Sequence, residues 1–237
     1  IFFAANRPVA IYKWIKVLEF VALGWYIVKT KPTFNRVIIA LSIGILYSST
    51  IAIVQFFLQH SIGGALWYLG ERTFSVDTPG IARIALDGRE LLRPYATFPH
   101  PNVLGGFLAA TVPLLFNLQI NKSTNKQMYK KIFKIFQWTT IPLGITALVL
   151  TFSRAAMLVG ALSIGYLVLR KTKNRFLFFS LLLTTIPLIL FLLPVSLTDE
   201  SVVVRQQLNS AAMQQFVSSP LFGVGLGNFL IELPKTL

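Results

Sequence analysis

Val37-Ile-Ile-Ala-Leu-Ser-Ile-Gly-Ile-Leu-Tyr-Ser-Ser-Thr-Ile-Ala-Ile-Val-Gln-Phe-Phe-Leu58 runs for 22 residues without a charge. About 20 such residues, coiled as a helix, cross the ~30 Å hydrocarbon core of a bilayer. Outward from this stretch the pattern repeats. Residues 176–197 form a second uncharged run of 22, and residues 103–120 and 135–152 form runs of 18 each. Residues 155–169 make a shorter run of 15, which needs a thinned bilayer or flanking arginines that reach outward. Residues 10–28 are apolar except for Lys13, Lys16 and Glu19. The expected fold is all-α, a polytopic transmembrane helical bundle of about six spans forming one membrane-embedded domain over residues 1–237. Two extracytoplasmic loops, 59–102 and 198–237, are expected to carry short amphipathic or hairpin elements.

Composition agrees with this expectation. Charged residues make up 13% of the chain, against roughly 25% in an ordinary soluble domain. There is no cysteine, which excludes a disulfide-stapled domain and a cysteine-ligated zinc or iron–sulfur protein. The 54% apolar content excludes a disordered basic tail. The net charge of +14, from 22 basic and 8 acidic side chains, is divided in an orderly way. Lys29, Lys31 and Arg36 fall in one short connection, Lys122, Lys126, Lys130, Lys131 and Lys134 in another, and Arg170, Lys171, Lys173 and Arg175 in a third, with no acid among them. Short cytoplasmic loops retain Lys and Arg during insertion, so these three are inside and the acid-bearing loops 59–102 and 198–237 outside. Charge divided among loops in this way does not form the single basic face that nucleic acid requires, so no nucleic-acid partner is expected. Residue 1 is an Ile within an apolar stretch, and the last outside segment stops at Leu237 without a returning helix. We therefore expect the central part of a larger membrane protein.

The first outside loop opens with His60 and the pair Trp67-Tyr68, suited to a membrane–water boundary. Asp87-Gly88 between apolar residues signals a hairpin, or a surface helix broken at the glycine. Pro99-His100-Pro101 then forces extended backbone, and Asn102 stands where an N-cap would start the next span. A helix N-terminus placed there offers free amides to an anion. His100 on these grounds is either part of that site or, as we prefer, a solvated loop residue.

Thr151-Phe-Ser153-Arg154 separates two apolar runs with no room for a real loop. A cation at a membrane boundary with no acid nearby in sequence is a functional candidate, although Arg154 could equally anchor a helix turn at the interface. In the second outside loop, Val204, Leu208, Ala212 and Phe216 recur every fourth residue, describing an amphipathic helix that lies against the membrane domain with Arg205 beside its stripe. Gly223, Gly225 and Gly227 follow without a preceding strand, so a tight turn allowing close backbone packing is expected rather than a dinucleotide site. No HExxH or cysteine cluster is present, and no metal is expected.

In their order, Arg93 ahead of Pro99-His100-Pro101-Asn102, then Ser153-Arg154 with Leu158, then Arg205 ahead of Ser219-Pro-Leu-Phe-Gly-Val-Gly-Leu-Gly-Asn-Phe229, these motifs resemble the O-antigen ligase superfamily of ligases, polymerases and protein O-oligosaccharyltransferases. The resemblance implies a multi-pass enzyme of the bacterial cytoplasmic (inner) membrane, a metal-independent, inverting glycosyltransferase with no cofactor. Its donor would be a polyprenyl-pyrophosphate-linked glycan, its acceptor a glycan, lipid or protein hydroxyl, and its solvent the lipid bilayer. It implies catalytic roles for Arg154 and Arg205 in holding the pyrophosphate, substrate contacts for Arg93, His100, Asn102 and Ser153, and an acceptor-activating histidine beyond Leu237. The chemistry is apt on its own terms: cleavage of a sugar–pyrophosphate bond builds negative charge that guanidinium groups stabilise strongly in a partly desolvated site. A glycolipid flippase would use similar cations, but would be expected to show polar residues within several spans. A non-catalytic scaffold leaves Arg154 unexplained.

Overall fold

The computed structural model describes residues 4–86, 88–116, 127–172, 200–221 and 223–233. It is mostly helical. The chain divides into two compact units, residues 33–194 and, from the two ends of the sequence, residues 1–32 with 195–237.

The first of these is built on α2 (Phe34–Leu58), α4 (Pro101–Leu115), α5 (Gln127–Leu150) and α6 (Arg154–Thr172), with the four-residue helix α3 (Ala65–Tyr68) between α2 and α4. Helix α4 packs on α2, α5 and α6, and α2 also packs on α5. The core between them is aliphatic, with Ile38, Ile45, Leu104, Leu108, Leu115 and Ala147 fully enclosed. Only the segment 36–58 is long and apolar enough, among the described residues, to cross a membrane; the apolar parts of α4, α5 and α6 are shorter.

Where helices touch closely, small residues make the contact. A Cβ built on Gly105 of α4 would lie 2.9 Å from the Ala156 Cβ of α6, and one on Gly160 of α6 would lie 3.7 Å from the Ala109 Cβ of α4. Gly105 and Ala109 are thus matched in register with Ala156 and Gly160, so α4 and α6 run parallel along a seam of the small-xxx-small kind. On the other side, Gly144 of α5 sits against Val112 of α4 and Ile45 of α2.

The helices overrun the apolar runs that announced them. Lys130, Lys131 and Lys134, assigned from sequence to an inside loop, lie on the first turns of α5, and Arg170 and Lys171 lie on the last turns of α6. The reason is physical: hydrophobicity ends where water begins, whereas backbone hydrogen bonding continues until a cap or breaker stops it. In α4 the described helix ends at Leu115, short of the expected 120. Residues 117–126 and 173–199, and with them the run 176–197, lie outside the described residues.

Between α2 and α4 the chain forms a small body of its own. Strands β1 (Arg83–Leu86) and β2 (Arg89–Leu92) pair antiparallel, Leu86 opposite Arg89, so the expected hairpin is present, and Gly88 takes φ +75°. Phe74, Ile81, Leu92 and Tyr95 make a second apolar cluster beneath it.

In the other unit, α1 (Arg7–Thr30) is capped by Asn6, whose side-chain oxygen accepts from the Val9 amide at 3.2 Å. Ala10 alone is buried along it. Helix α7 (Glu200–Ser218) leads to the glycine segment and the four-residue α8 (Phe229–Glu232). Within this unit Ala211 and Gln215 are the buried positions of α7, Leu208 is half-buried, and Val204, Ala212 and Phe216 are exposed. Burial follows the partner, here the Phe229 carbonyl, which accepts from Gln215 Nε2 at 3.3 Å. Gly223, Gly225 and Gly227 all have positive φ, and a Cβ at Gly225 would meet Ala4 at 2.5 Å, so the close backbone packing expected of this turn is what it provides.

Candidate functional site

At one end of the larger unit, α2 and α5 finish and α4 and α6 begin. Phe56 near the end of α2 stacks on Phe152 after α5, ring centroids 5.9 Å apart. Thr151, Phe152 and Ser153 form the whole connection from α5 to α6, and Phe152 takes φ +49° to make it. The Ser153 carbonyl accepts from the Met157 amide at 2.9 Å, so Ser153 starts α6 and Arg154 is its first residue. Thr151 and Ser153 are buried; Arg154 is half-buried.

Arg93 reaches across this end. Its Nε donates to the Thr151 carbonyl at 2.7 Å and its terminal nitrogen to Asn102 Oδ1 at 2.6 Å. The first bond satisfies a carbonyl left open by the end of α5, where a cation also complements the helix dipole. The second places the same guanidinium at the start of α4. Asn102 therefore serves Arg93 and is not the N-cap expected from the sequence.

The cap is His100. Its Nδ1 accepts from the Asn102 amide at 3.0 Å, and its carbonyl accepts from Leu104. His100 is half-buried, with its ring edge-on to Tyr95 at 6.0 Å, rather than a solvated loop residue. Pro101 explains the shift: proline fits the first helical position, where its fixed φ suits the helix and its missing N–H costs nothing. An accepting Nδ1 assigns the neutral ring its proton on Nε2.

The residues brought to this one end are thus Arg93, His100, Asn102, Ser153 and Arg154. Neither α4 nor α6 has an acid in its first turn. Two helix starts, each with partial positive charge, and the guanidinium groups of Arg93 and Arg154 make an electropositive corner suited to a phosphate or pyrophosphate. Among the described residues no three His, Asp or Glu side chains gather in a way that could hold a metal ion. Arg205 belongs to the other unit, on the exposed side of α7.

A buried polar hub sits behind the corner, and sequence reasoning missed it. Glu71, 4% exposed, accepts from Gln55 Nε2 at 2.8 Å, the Ile62 amide at 2.6 Å and the Gly63 amide at 2.8 Å. Gln55 in turn accepts from the Tyr95 and Ala96 amides at 3.1 and 2.7 Å. Tyr95 is two residues from Arg93, so this hub fixes the height at which Arg93 leaves β2. A glutamine inside an otherwise apolar run was the available signal.

No family model, curated protein or solved structure matches the chain.

Proposed function

We propose that the protein is a multi-pass glycosyltransferase of the bacterial cytoplasmic membrane, O-antigen ligase-like, with about six spans. It moves a glycan from an undecaprenyl-pyrophosphate-type carrier to an acceptor hydroxyl on the outer side. The observation that supports this most is the meeting of two helix starts, α4 and α6, whose first turns hold no acid, with Arg93 fixed by Thr151 and Asn102 and Arg154 opening α6. Broad exposure of large apolar side chains along α1, α2 and α6 supports the bilayer setting.

In the proposed transfer the acceptor hydroxyl gives up its proton to a general base and its oxygen attacks the anomeric carbon, the bond to the pyrophosphate oxygen breaks, and the charge left on the pyrophosphate is neutralised by arginine. Arg154 and Arg205 are proposed as the catalytic cations. Arg93, His100, Asn102 and Ser153 are proposed to contact or position the donor. A guanidinium remains cationic in a partly desolvated site, where a lysine can lose its proton.

The test is a lipid-linked-donor assay on the full-length protein. Arg154→Ala and Arg205→Ala are each expected to abolish transfer, with pyrophosphate-lipid binding weakened in parallel. Near-normal turnover in either variant removes that residue's role. Translocation of the lipid without bond formation replaces the transferase by a transporter.

A further inference from the structure

Residues 61–70, Ser-Ile-Gly-Gly-Ala-Leu-Trp-Tyr-Leu-Gly, carry no charge. They do not rise away from α2 but turn back along it. The Leu69 carbonyl accepts from the Tyr47 hydroxyl at 3.0 Å, and Tyr47 stands eleven residues before Leu58. Allowing for the reach of a tyrosine side chain, Leu69 lies on the order of 10 Å back from the end of α2, about two helical turns. Leu66 packs against the aliphatic core of the helices.

Much of the backbone of this segment is paired within the protein. The Ile62 and Gly63 amides donate to Glu71, those of Leu66 and Trp67 to the Gly63 and Gly64 carbonyls, and those of Leu69, Gly70 and Glu71 back into α3. A loop in water has no need of such closure, whereas non-helical chain at membrane depth survives only if protein satisfies its polar groups. Its outer side is nevertheless apolar: Trp67 is 58%, Tyr68 82% and Leu69 61% exposed, with the two rings edge-to-face at 4.9 Å. Gly63, Gly64 and Gly70 bracket α3 with positive φ, which sets the two bends.

We propose that residues 61–70 form a re-entrant wedge that seats Trp67, Tyr68 and Leu69 among the lipids, where headgroups meet acyl chains beside the end of α2. Tyrosine and tryptophan favour this layer because each has an apolar body and a polar handle. Glu71 locks the wedge to Gln55, and Gln55 binds the Tyr95–Ala96 backbone next to Arg93, so the lipid surface sets the level of the electropositive corner. The inference rests on α2 spanning the bilayer.

These 237 residues hold no cysteine, so single cysteines introduced here into the full-length protein, with any cysteine outside this stretch replaced by serine, take one nitroxide label each. Ile43→Cys (middle of α2), Tyr68→Cys (wedge) and Arg89→Cys (hairpin) are reconstituted in phosphatidylcholine–phosphatidylglycerol vesicles. Collisions with oxygen are then compared with those with a water-soluble nickel chelate. The oxygen-to-nickel ratio is expected to be several-fold higher at positions 43 and 68 than at 89. A ratio at 68 equal to that at 89, with 43 still lipid-bound, overturns the wedge and leaves the membrane assignment standing. Free nickel access at 43 overturns both. As a second measurement, a variant that keeps Trp67 as its single tryptophan, with Trp14, Trp25, Trp138 and any tryptophan outside this stretch replaced by Phe, is expected to show fluorescence quenched by lipids brominated near the headgroup. No quenching contradicts the wedge.

Discussion

Glu71 shows how much a single side chain can hold. Its carboxylate is buried yet accepts from Gln55, Ile62 and Gly63, and removing it leaves those donors without an acceptor. Glu71→Ala is expected to cost about 3 kcal/mol or more in thermal or denaturant unfolding in detergent micelles, since each orphaned buried group costs ~1–3 kcal/mol. Glu71→Gln is expected to cost less, because one acceptor oxygen remains. Arg93 presents a different case. Lysine carries its donors on a single nitrogen at the end of a flexible stem and lacks the planar fork whose separate nitrogens meet the Thr151 carbonyl and Asn102, so Arg93→Lys should behave almost as Arg93→Ala, each losing about 1–2 kcal/mol of stability and most of the proposed transfer activity. Full activity in Arg93→Lys shows that charge alone suffices. Phe152 carries the opposite tension, a bulky residue with φ +49° whose ring is kept against Phe56.

Two adjacent glycines in α4 separate packing from propensity. A Cβ at Gly105 meets Ala156 at 2.9 Å and Thr151 Oγ1 at 3.0 Å, whereas one at Gly106 meets nothing within 4 Å. Gly105→Ala is therefore expected to destabilise by about 1–3 kcal/mol through overpacking. Gly106→Ala should stabilise by about 0.5–1 kcal/mol through helix propensity. Unfolding midpoints that move the same way in both variants contradict the seam. At this scale the hairpin and the helical character of the apolar runs within the described residues were legible, because Asp87-Gly88 and uninterrupted hydrophobicity are local signals. The ends of α5 and α6 were not, since lysines and arginines tolerate a helix that continues past its apolar part. The cap at His100 was legible only if Pro101 is weighed above Asn102. The bonds from Gln55 to Glu71 and from Arg93 to Thr151 cross 16 and 58 positions, and no period in the sequence encodes such pairings. The four-residue spacing of Gly105 with Ala109 and of Ala156 with Gly160 stands in the sequence, but which helix each pair faces does not.

Each compact unit has its own closure. In the smaller one, the Asn6 amide donates to Asn228 Oδ1 at 3.1 Å and the Ala5 amide to the Val224 carbonyl at 3.2 Å, joining the start of the chain to the glycine turn. Gly225→Ala combines φ +93° with a 2.5 Å approach to Ala4, so loss of about 2 kcal/mol or more is expected, read as faster proteolysis near residue 6. For the larger unit, an impermeant maleimide in intact cells is expected to label Arg89→Cys but to reach Arg36→Cys only after permeabilisation; equal labelling contradicts the assigned sidedness of α2. The contact of α4 with α6 has one more consequence. Glycine and alanine side chains shed almost no area from water when they meet, so what joins these helices is dispersion between nearly touching backbones. Such an attachment does not weaken when the surroundings turn oily, and the α4/α6 pair should outlast the outer helices when a harsh surfactant takes the protein apart.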